Sequence, residues 1–296
     1  MMKKMDWMIV KVPYGGGYSS LNLASPKNTR RAPDALHKEF VKQSIFLADN
    51  GAEIKNLEWR TVDVDFWFQN NDGSWARMDK YLYLIAESTS LFYDKNVLFL
   101  GGSHTVTYTT FSALSKTTKE QCGLIVLDAH PDCCRKADWP IHSDWLRKLI
   151  EEKRVHPKNI LVIGIRQMEK QEYDFLKSYE IKYYHLSKIG DPKVCATDYL
   201  ALKFELEKLR SLQATYLSID IDVVSQAFAP GTGCPSPDGL SDSELICLVK
   251  QFKLKLPNLK AADLVEIDPL NWWQKLVLRR DQTVDLGVKI IKEIVS

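Results

Sequence analysis

Short apolar runs alternate with amphipathic segments along most of the chain. Runs rich in β-branched residues predict strands at residues 6–13, 97–100, 123–127, 160–164, 181–185, 215–219 and 262–266. Apolar residues at three- and four-residue steps predict helices near residues 34–50, 78–92, 145–154, 170–179, 199–209 and 284–295. Ser241-Asp-Ser-Glu244 is typical of a capping box that begins another helix, to about Phe252.

This alternation of strands and helices favours an α/β fold. Such a chain forms a mostly parallel sheet covered by helices on both faces, a three-layer arrangement. No internal repeat or linker interrupts the pattern, and 45% hydrophobic residues are enough for a large core. We therefore predict that residues 1–296 form a single domain.

Three predicted strands end in residues that can bind metal ions. The strand 123–127 runs into Asp128-Ala-His130-Pro-Asp132, the strand 215–219 into Asp220-Ile-Asp222, and the strand 97–100 into Gly101-Gly-Ser-His104. Ligands of parallel sheets lie beyond the carboxyl ends of the strands, so these segments point to one site. Two carboxylates at alternate positions of a continuing strand would face opposite sides, so Asp220 and Asp222 share a site only if the strand ends there.

The number and type of these side chains favour a pair of metal ions. The candidate ligands are His104, Asp128, His130, Asp132, Asp220 and Asp222. One catalytic zinc takes about three protein ligands, whereas two-metal hydrolytic sites share carboxylates. Four carboxylates and two imidazoles suit a hard ion such as Mn²⁺. For the segment after residue 127 alone, an Asp-rich turn with a solvated histidine stays an open alternative.

These segments resemble, in the same order, the motifs of the ureohydrolases, the superfamily of arginase, agmatinase and formimidoylglutamase. The matching motifs include the three just named and also Ala229-Pro-Gly-Thr-Gly233 and Leu264-Val-Glu266-Ile-Asp-Pro269. The resemblance runs from about residue 97 to the end of the chain and implies an arginase-like fold with two Mn²⁺ ions. One ion would be held by His104, Asp128, Asp132 and Asp220, and the other by Asp128, His130, Asp220 and Asp222.

Hydrolysis of a linear amidine is the chemistry that this arrangement predicts. A water between two cations becomes a hydroxide that can attack a guanidino or formimino carbon and release urea or formamide plus an amine. The two oxygens of Glu266 match the planar fork of an amidinium group, and the resemblance gives this glutamate the same role; a surface salt bridge is the alternative. Asp132 is placed to hold the hydroxide and pass on its proton. His142 resembles the proton-shuttle histidine of the family, or else is merely exposed.

Several positions depart from the pattern of the superfamily. Ser103 stands where the superfamily usually has an aspartate whose carboxylate lies behind the metal ligands. Ser225-Gln226 stands where the superfamily usually has Asp-Pro. The loop after Asp132, Cys133-Cys-Arg-Lys-Ala-Asp138, lacks the Asn and Ser/Thr residues by which arginases hold the amino-acid end of arginine. We therefore expect a substrate other than arginine. Arg135 and Lys136 either bind a carboxylate, as in guanidinobutyrate or formiminoglutamate, or form a solvated basic pair.

The composition of the chain limits its expected partners and its expected cellular location. A net charge of +2 and the lack of a basic cluster interleaved with aromatic residues argue against nucleic acid, and no run of about 18 apolar residues predicts a membrane span. Six scattered cysteines, including Cys133 and Cys134, predict free thiols and a cytoplasmic location. The resemblance implies a homo-oligomer, a trimer or hexamer. Two alternatives stay open: a non-catalytic metal-binding relative, and a zinc-dependent deacetylase.

Overall fold

One parallel sheet carries the fold. The structure, a computed structural model, describes residues 6–15, 29–49, 57–62, 95–119, 121–134, 140–185, 195–278 and 280–296. Its strands are β1 (Trp7–Val12), β2 (Glu58–Thr61), β3 (Asn96–Gly101), β4 (Cys122–Leu127), β5 (Ile160–Ile165), β6 (Lys182–His185), β7 (Ala214–Asp220) and β8 (Leu259–Val265). They lie in the order β2-β1-β3-β8-β7-β4-β5-β6, and every neighbouring pair is parallel. All the carboxyl ends therefore lie along one edge of the sheet.

Helices cover both faces of this sheet. They are α1 (Ala32–Asp49), α2 (Thr105–Thr117), α3 (Trp145–Glu151), α4 (Lys170–Ser178), α5 (Cys195–Arg210), α6 (Asp242–Lys255), α7 (Trp272–Leu278) and α8 (Gln282–Val295). Buried side chains of α2, α3 and α4 pack on one face of the sheet, and those of α1, α5, α6 and α8 pack on the other. The three-layer α/β fold that the sequence predicts is confirmed.

The central strands show why the sheet is stable. Successive residues of β4 point to opposite faces, so that Leu124 and Val126 pack under one helix layer while Ile125 and Leu127 pack under the other. All four side chains are fully buried. Burial of one such side chain contributes about 1.5–3 kcal/mol, so a continuous apolar run holds the centre of the sheet between its two helix layers.

Most predicted elements are present, with small shifts at their ends. Seven predicted strands match strands of the sheet, and the capping box of α6 forms, with Ser241 Oγ accepting from the amide of Glu244 at 3.2 Å. The largest shift is in α5, which begins at Cys195 rather than residue 199. The predicted helix at 78–92 lies outside the described residues.

Three elements, β2, α2 and α7, do not follow from the hydrophobic pattern. Helix α2 is the instructive case, because its threonines at positions 105, 107, 109 and 110 favour strands rather than helices. It is nevertheless buried from Thr105 to Ser115, so packing on the sheet outweighs the local preference. The five cysteines whose side chains the structure describes are free thiols, as predicted.

Candidate metal centre

Four adjacent strands deliver the predicted site residues to one edge of the sheet. His104 follows β3, Asp128 follows β4, Asp222 follows β7 and Glu266 follows β8. These strands are neighbours in the order β3-β8-β7-β4. The site therefore lies where parallel sheets bind their ligands, and it rests on strands whose residues are almost all buried.

A tight turn brings His104 into the site. At Gly102, a Cβ atom would lie 2.3 Å from the carbonyl oxygen of Tyr14, so only glycine allows this approach. The same glycine accepts a hydrogen bond from the amide of Glu266 at 2.7 Å. The Gly-Gly turn thus joins the end of β3 to both β1 and β8, and His104 directly precedes helix α2.

The loop after β4 curls so that its three polar side chains converge. The amide of His130 donates to Asp128 Oδ1 at 2.7 Å, which closes the first turn. Asp132 has a φ of 50°, in the left-handed region that side chains other than glycine rarely adopt. Its carbonyl oxygen accepts from the amide of Leu146 in α3 at 3.2 Å. Packing against α3 therefore supports a backbone conformation that is unfavourable by itself.

Strand β7 ends where the site needs it to end. The strand stops at Asp220, and Ile221–Val223 forms a single turn of 3₁₀-helix. Asp220 Oδ1 accepts from the amide of Asp222 at 2.8 Å and caps this turn. Because the alternation of the strand is broken, both carboxylates reach the site, in the way that the sequence requires.

Two groups of side chains form, and they share Asp128. The Nδ1 atom of His104 lies 3.1 Å from Asp128 Oδ2, 2.9 Å from Asp132 Oδ2 and 3.2 Å from Asp220 Oδ2. The Nδ1 atom of His130 lies 2.9 Å from Asp222 Oδ2 and 3.5 Å from Asp128 Oδ1. Potential ligand atoms lie within 4.8 Å of one another in two sets, His104-Asp128-Asp132 and Asp128-His130-Asp222. The structure thus brings together all six predicted ligands.

The charges of the first group fit a cation. Its carboxylates are buried, and among the residues that the structure describes neither His104 Nδ1 nor Asp128 Oδ2 has a hydrogen-bond partner. Burial raises the pKa of Asp132 to about 7, and the charge of Asp128 adds to this rise. Burial, followed by the charges of Asp222 and Asp128, raises the pKa of Asp220 well above its usual value. Repulsion among buried carboxylates and two buried atoms without described partners are conditions that a metal ion relieves.

Three residues that the sequence analysis did not single out surround these groups. Trp145 donates from Nε1 to Asp132 Oδ2 at 2.7 Å, and its ring lies 4.6 Å from the His104 ring. Arg166 donates to the carbonyl oxygens of Val223, at 2.9 Å, and Asp222. Gln167 Oε1 lies 3.3 Å from His130 Nε2. No motif marks these positions, because each contact joins segments that are far apart in the chain.

The structure describes two of the four remaining predicted residues, Glu266 and His142. Glu266 is buried with a φ of 60°, and its Oε1 accepts from the amide of His104 at 2.7 Å, so it lies directly beside the first group. His142 is half-buried in the turn before α3, which carries Trp145. Arg135 and Lys136 lie outside the described residues.

Comparison with known proteins identifies the family. The sequence profile of the Arginase family matches residues 5–296. The chain belongs to the arginase family. It is 31% identical over 237 residues to an agmatinase of Bacillus subtilis, an alignment that covers 78% of this chain and 72% of that protein. Relatives of this kind are hydrolases of amidino C–N bonds, so the predicted superfamily and enzyme class are confirmed.

Solved structures agree with the fold of this arginase-family chain. A formimidoylglutamase of Bacillus subtilis superimposes with a TM-score of 0.78, at 21% identity, over 99% of this chain and 87% of that chain. A formiminoglutamase of Trypanosoma cruzi solved with Mn²⁺ gives a TM-score of 0.77, at 16% identity, over 98% and 92%. Among the residues that the structure describes, no helix is both long and apolar enough to cross a membrane.

Trp145 provides a spectroscopic test of where a cation binds in this arginase-family chain. Its indole ring lies against His104, so Mn²⁺ held there should quench its emission. We expect addition of Mn²⁺ to metal-free protein to lower tryptophan fluorescence in the wild type. The same decrease is expected in the control Trp273→Phe, because Trp273 is 60% exposed and lies on α7. The decrease should be lost in Trp145→Phe. Equal quenching in all three proteins would place the ion elsewhere.

The raised pKa values predict how pH acts on the metal-free protein. A group whose pKa is higher in the folded than in the unfolded state stabilises the fold at low pH, and this contribution is lost as pH rises through the folded pKa. Asp132, with a folded pKa of about 7, and Asp220 are such groups. Burial lowers the pKa of His104, but its three carboxylate neighbours outweigh burial and raise it. We expect the metal-free protein to lose stability from about pH 5 to about pH 8.

Thermal unfolding of the chelator-treated and Mn²⁺-saturated proteins across this pH range measures the effect. The stabilisation by Mn²⁺ should grow as pH rises, because the ion then displaces fewer protons. A metal-free protein that becomes more stable between these pH values would contradict the charge distribution described above.

Proposed function

We propose that this chain is a binuclear manganese hydrolase that cleaves a C–N bond of a linear amidine other than arginine. The observation that carries the proposal is the pair of groups sharing Asp128, with His104 Nδ1 2.9–3.2 Å from three carboxylate oxygens. One ion would be held by His104, Asp128, Asp132 and Asp220, and the other by Asp128, His130, Asp220 and Asp222.

Manganese is the ion that suits this set best. Four carboxylates against two imidazoles favour a hard cation over zinc, whose catalytic sites typically take about three protein ligands. The Mn²⁺ in the related formiminoglutamase of Trypanosoma cruzi supports the same choice. A zinc deacetylase, which keeps one such site, would not require the second group around His130.

The roles of the other residues follow from their chemistry. When bound, the two cations would lower the pKa of a water molecule and make it a nucleophile near neutral pH. Glu266 is positioned by the backbone of His104 and offers its carboxylate to the amidinium group of the substrate. Asp132 holds the proton released by the water, and His142 passes a proton to the leaving amine.

The loop after Asp132 supports a substrate with a carboxylate at its far end. Cys133 is buried, and its amide donates to Glu172 Oε1 at 3.3 Å, so the start of the loop is fixed on α4. We infer that Arg135 and Lys136, which follow directly, bind the substrate carboxylate. The likeness to formimidoylglutamases supports formiminoglutamate, with guanidinobutyrate as the corresponding guanidino compound.

The cellular location and the oligomeric state of the enzyme are also proposals. We infer a cytoplasmic homo-oligomer, supported by the free thiols and by the resemblance to ureohydrolases.

A substrate panel tests the proposed specificity. Mn²⁺-loaded protein is assayed with arginine, agmatine, guanidinobutyrate, guanidinopropionate and formiminoglutamate for release of urea or formamide. Agmatine and guanidinobutyrate form the informative pair, because they have similar lengths and opposite charges at the far end. We expect turnover of the carboxylate-bearing compounds and a higher KM for them in the Arg135→Ala/Lys136→Ala variant. Preferential turnover of agmatine would reject the carboxylate-binding role, and silence across the panel with metal bound would reject the hydrolase.

Glu266→Gln tests the grip on the amidinium group. The amide keeps the shape and the hydrogen bond from the amide of His104 but loses the charge. A hydrogen bond to a charged group contributes about 1.5–3 kcal/mol, so kcat/KM should fall about 10- to 150-fold. Binding of Mn²⁺ should be retained. Glu205→Gln, equally buried at 8% exposure but on α5, is the matched control and should be active. Undiminished kcat/KM in Glu266→Gln would contradict the assigned role.

A further inference from the structure

A fully buried acid, Asp263, lies on β8 beneath the first group of proposed ligands, which consists of His104, Asp128, Asp132 and Asp220. It contacts none of the proposed ligands directly, yet three hydroxyl groups donate to its carboxylate. Ser218 Oγ donates to Oδ1 at 2.7 Å, while Thr107 Oγ1 and Tyr216 OH donate to Oδ2 at 2.6 and 2.8 Å. Burying a carboxylate at 0% exposure costs free energy unless the group is hydrogen-bonded. An apolar residue would fill this position without that cost, so the buried acid points to a role other than packing.

The protons of this network can be counted. A hydroxyl group has one hydrogen to donate and can accept with its lone pairs. Ser218 gives its hydrogen to Asp263, so it can offer only a lone pair to His104 Nε2, which lies 2.9 Å away. Thr107 likewise gives its hydrogen to Asp263 and has none left for Ser218. It follows that Nε2 of His104 carries a proton.

This proton placement determines what the other ring nitrogen can do. A neutral imidazole with its proton on Nε2 has its free lone pair on Nδ1. Nδ1 is the atom that faces the oxygens of Asp128, Asp132 and Asp220. Histidine ligands of metal ions are commonly fixed in this manner, by an acceptor at the second nitrogen.

We propose that Asp263 is a positioning residue that acts through Ser218 to fix the tautomer and orientation of His104, with the Nδ1 lone pair directed at the cation. The proposal rests on the proposed function, since it takes His104 as a metal ligand.

The surroundings of the network make it rigid enough for this task. Ser218 and Asp263 are direct partners in the pairing of β7 with β8, so the sheet itself sets their separation. Tyr216 is held from its other side by Thr110 Oγ1 at 2.7 Å. Trp145 packs against the imidazole of His104. The ring is therefore confined between the network and the indole.

Substitution of Ser218 separates a hydrogen-bonding role from a space-filling one. Full-length, metal-free variants are titrated with Mn²⁺, and the free ion is measured by electron paramagnetic resonance. Loss of such a supporting contact typically weakens metal binding about 10- to 100-fold, and we expect this for Ser218→Ala. Ser218→Thr keeps the hydroxyl and should recover most of the affinity. If Ser218 only filled space, the extra methyl group of threonine in this buried site would be worse than alanine.

A second pair of variants tests Asp263 itself. Asp263→Asn keeps the shape but leaves the Ser218 hydrogen uncommitted, because an amide can either donate or accept. Its Mn²⁺ affinity should fall by about 10-fold or more. Tyr216→Phe removes a different hydrogen bond to Asp263 and leaves that of Ser218 intact, so its affinity should stay close to that of the wild type. Thermal unfolding of each metal-free variant checks that the fold is kept. If Asp263→Asn does not fold, the two Ser218 variants decide the test.

The possible outcomes separate this proposal from the proposed function. Wild-type affinity in both Ser218→Ala and Asp263→Asn, or threonine no better than alanine at position 218, would overturn the role of Asp263 while leaving the manganese hydrolase intact. A wild-type protein that binds no Mn²⁺ would overturn both.

Discussion

The site depends on carboxylates that the fold buries close together, where they repel one another. Three carboxylates at the ends of β4 and β7 surround one buried imidazole at the edge of the sheet. Burial raises the pKa of two of them, Asp132 and Asp220, and the charge of Asp128 adds to the rise in both. In water such repulsion would be screened, but at this depth it is strong. A divalent cation bound there would remove the repulsion and satisfy His104 Nδ1 and Asp128 Oδ2, so metal binding would be coupled to stability.

The sheet maintains this unfavourable arrangement because it leaves the loops little freedom. Of the non-glycine residues with positive φ that the structure describes, only Asp132 and Glu266 are buried. Such conformations cost about 1–3 kcal/mol each and persist where the surroundings impose them. Asp132 is held by the indole of Trp145 and the amide of Leu146, and Glu266 by the carbonyl of Gly102. The strain thus falls on two acids with proposed chemical roles.

The sequence was informative where a local pattern determines the structure. A strand that runs into Asp220-Ile-Asp222 must end there if both carboxylates are to meet, and the 3₁₀ turn at Ile221 provides that end. Helix α2 was missed because its threonines favour strands, and only the tertiary packing makes it a helix. Asp263 and Trp145 were missed for a related reason. Their contacts with Ser218 and Asp132 join different segments, and nothing within either segment indicates that a partner is present.

Strand β8 connects two functions that would otherwise be independent. Asp263 lies within the strand and reaches the side chain of His104 through Ser218, whereas Glu266 lies just after its end and binds the backbone amide of the same residue. Two acids three positions apart therefore fix one histidine from two directions. The carboxylate proposed to bind the amidinium group and the proposed metal ligand are thus joined by a single hydrogen bond. In the proposed enzyme, substrate and cation would contact the same rigid unit, which would keep the attacked carbon and the nucleophile in a constant relative position.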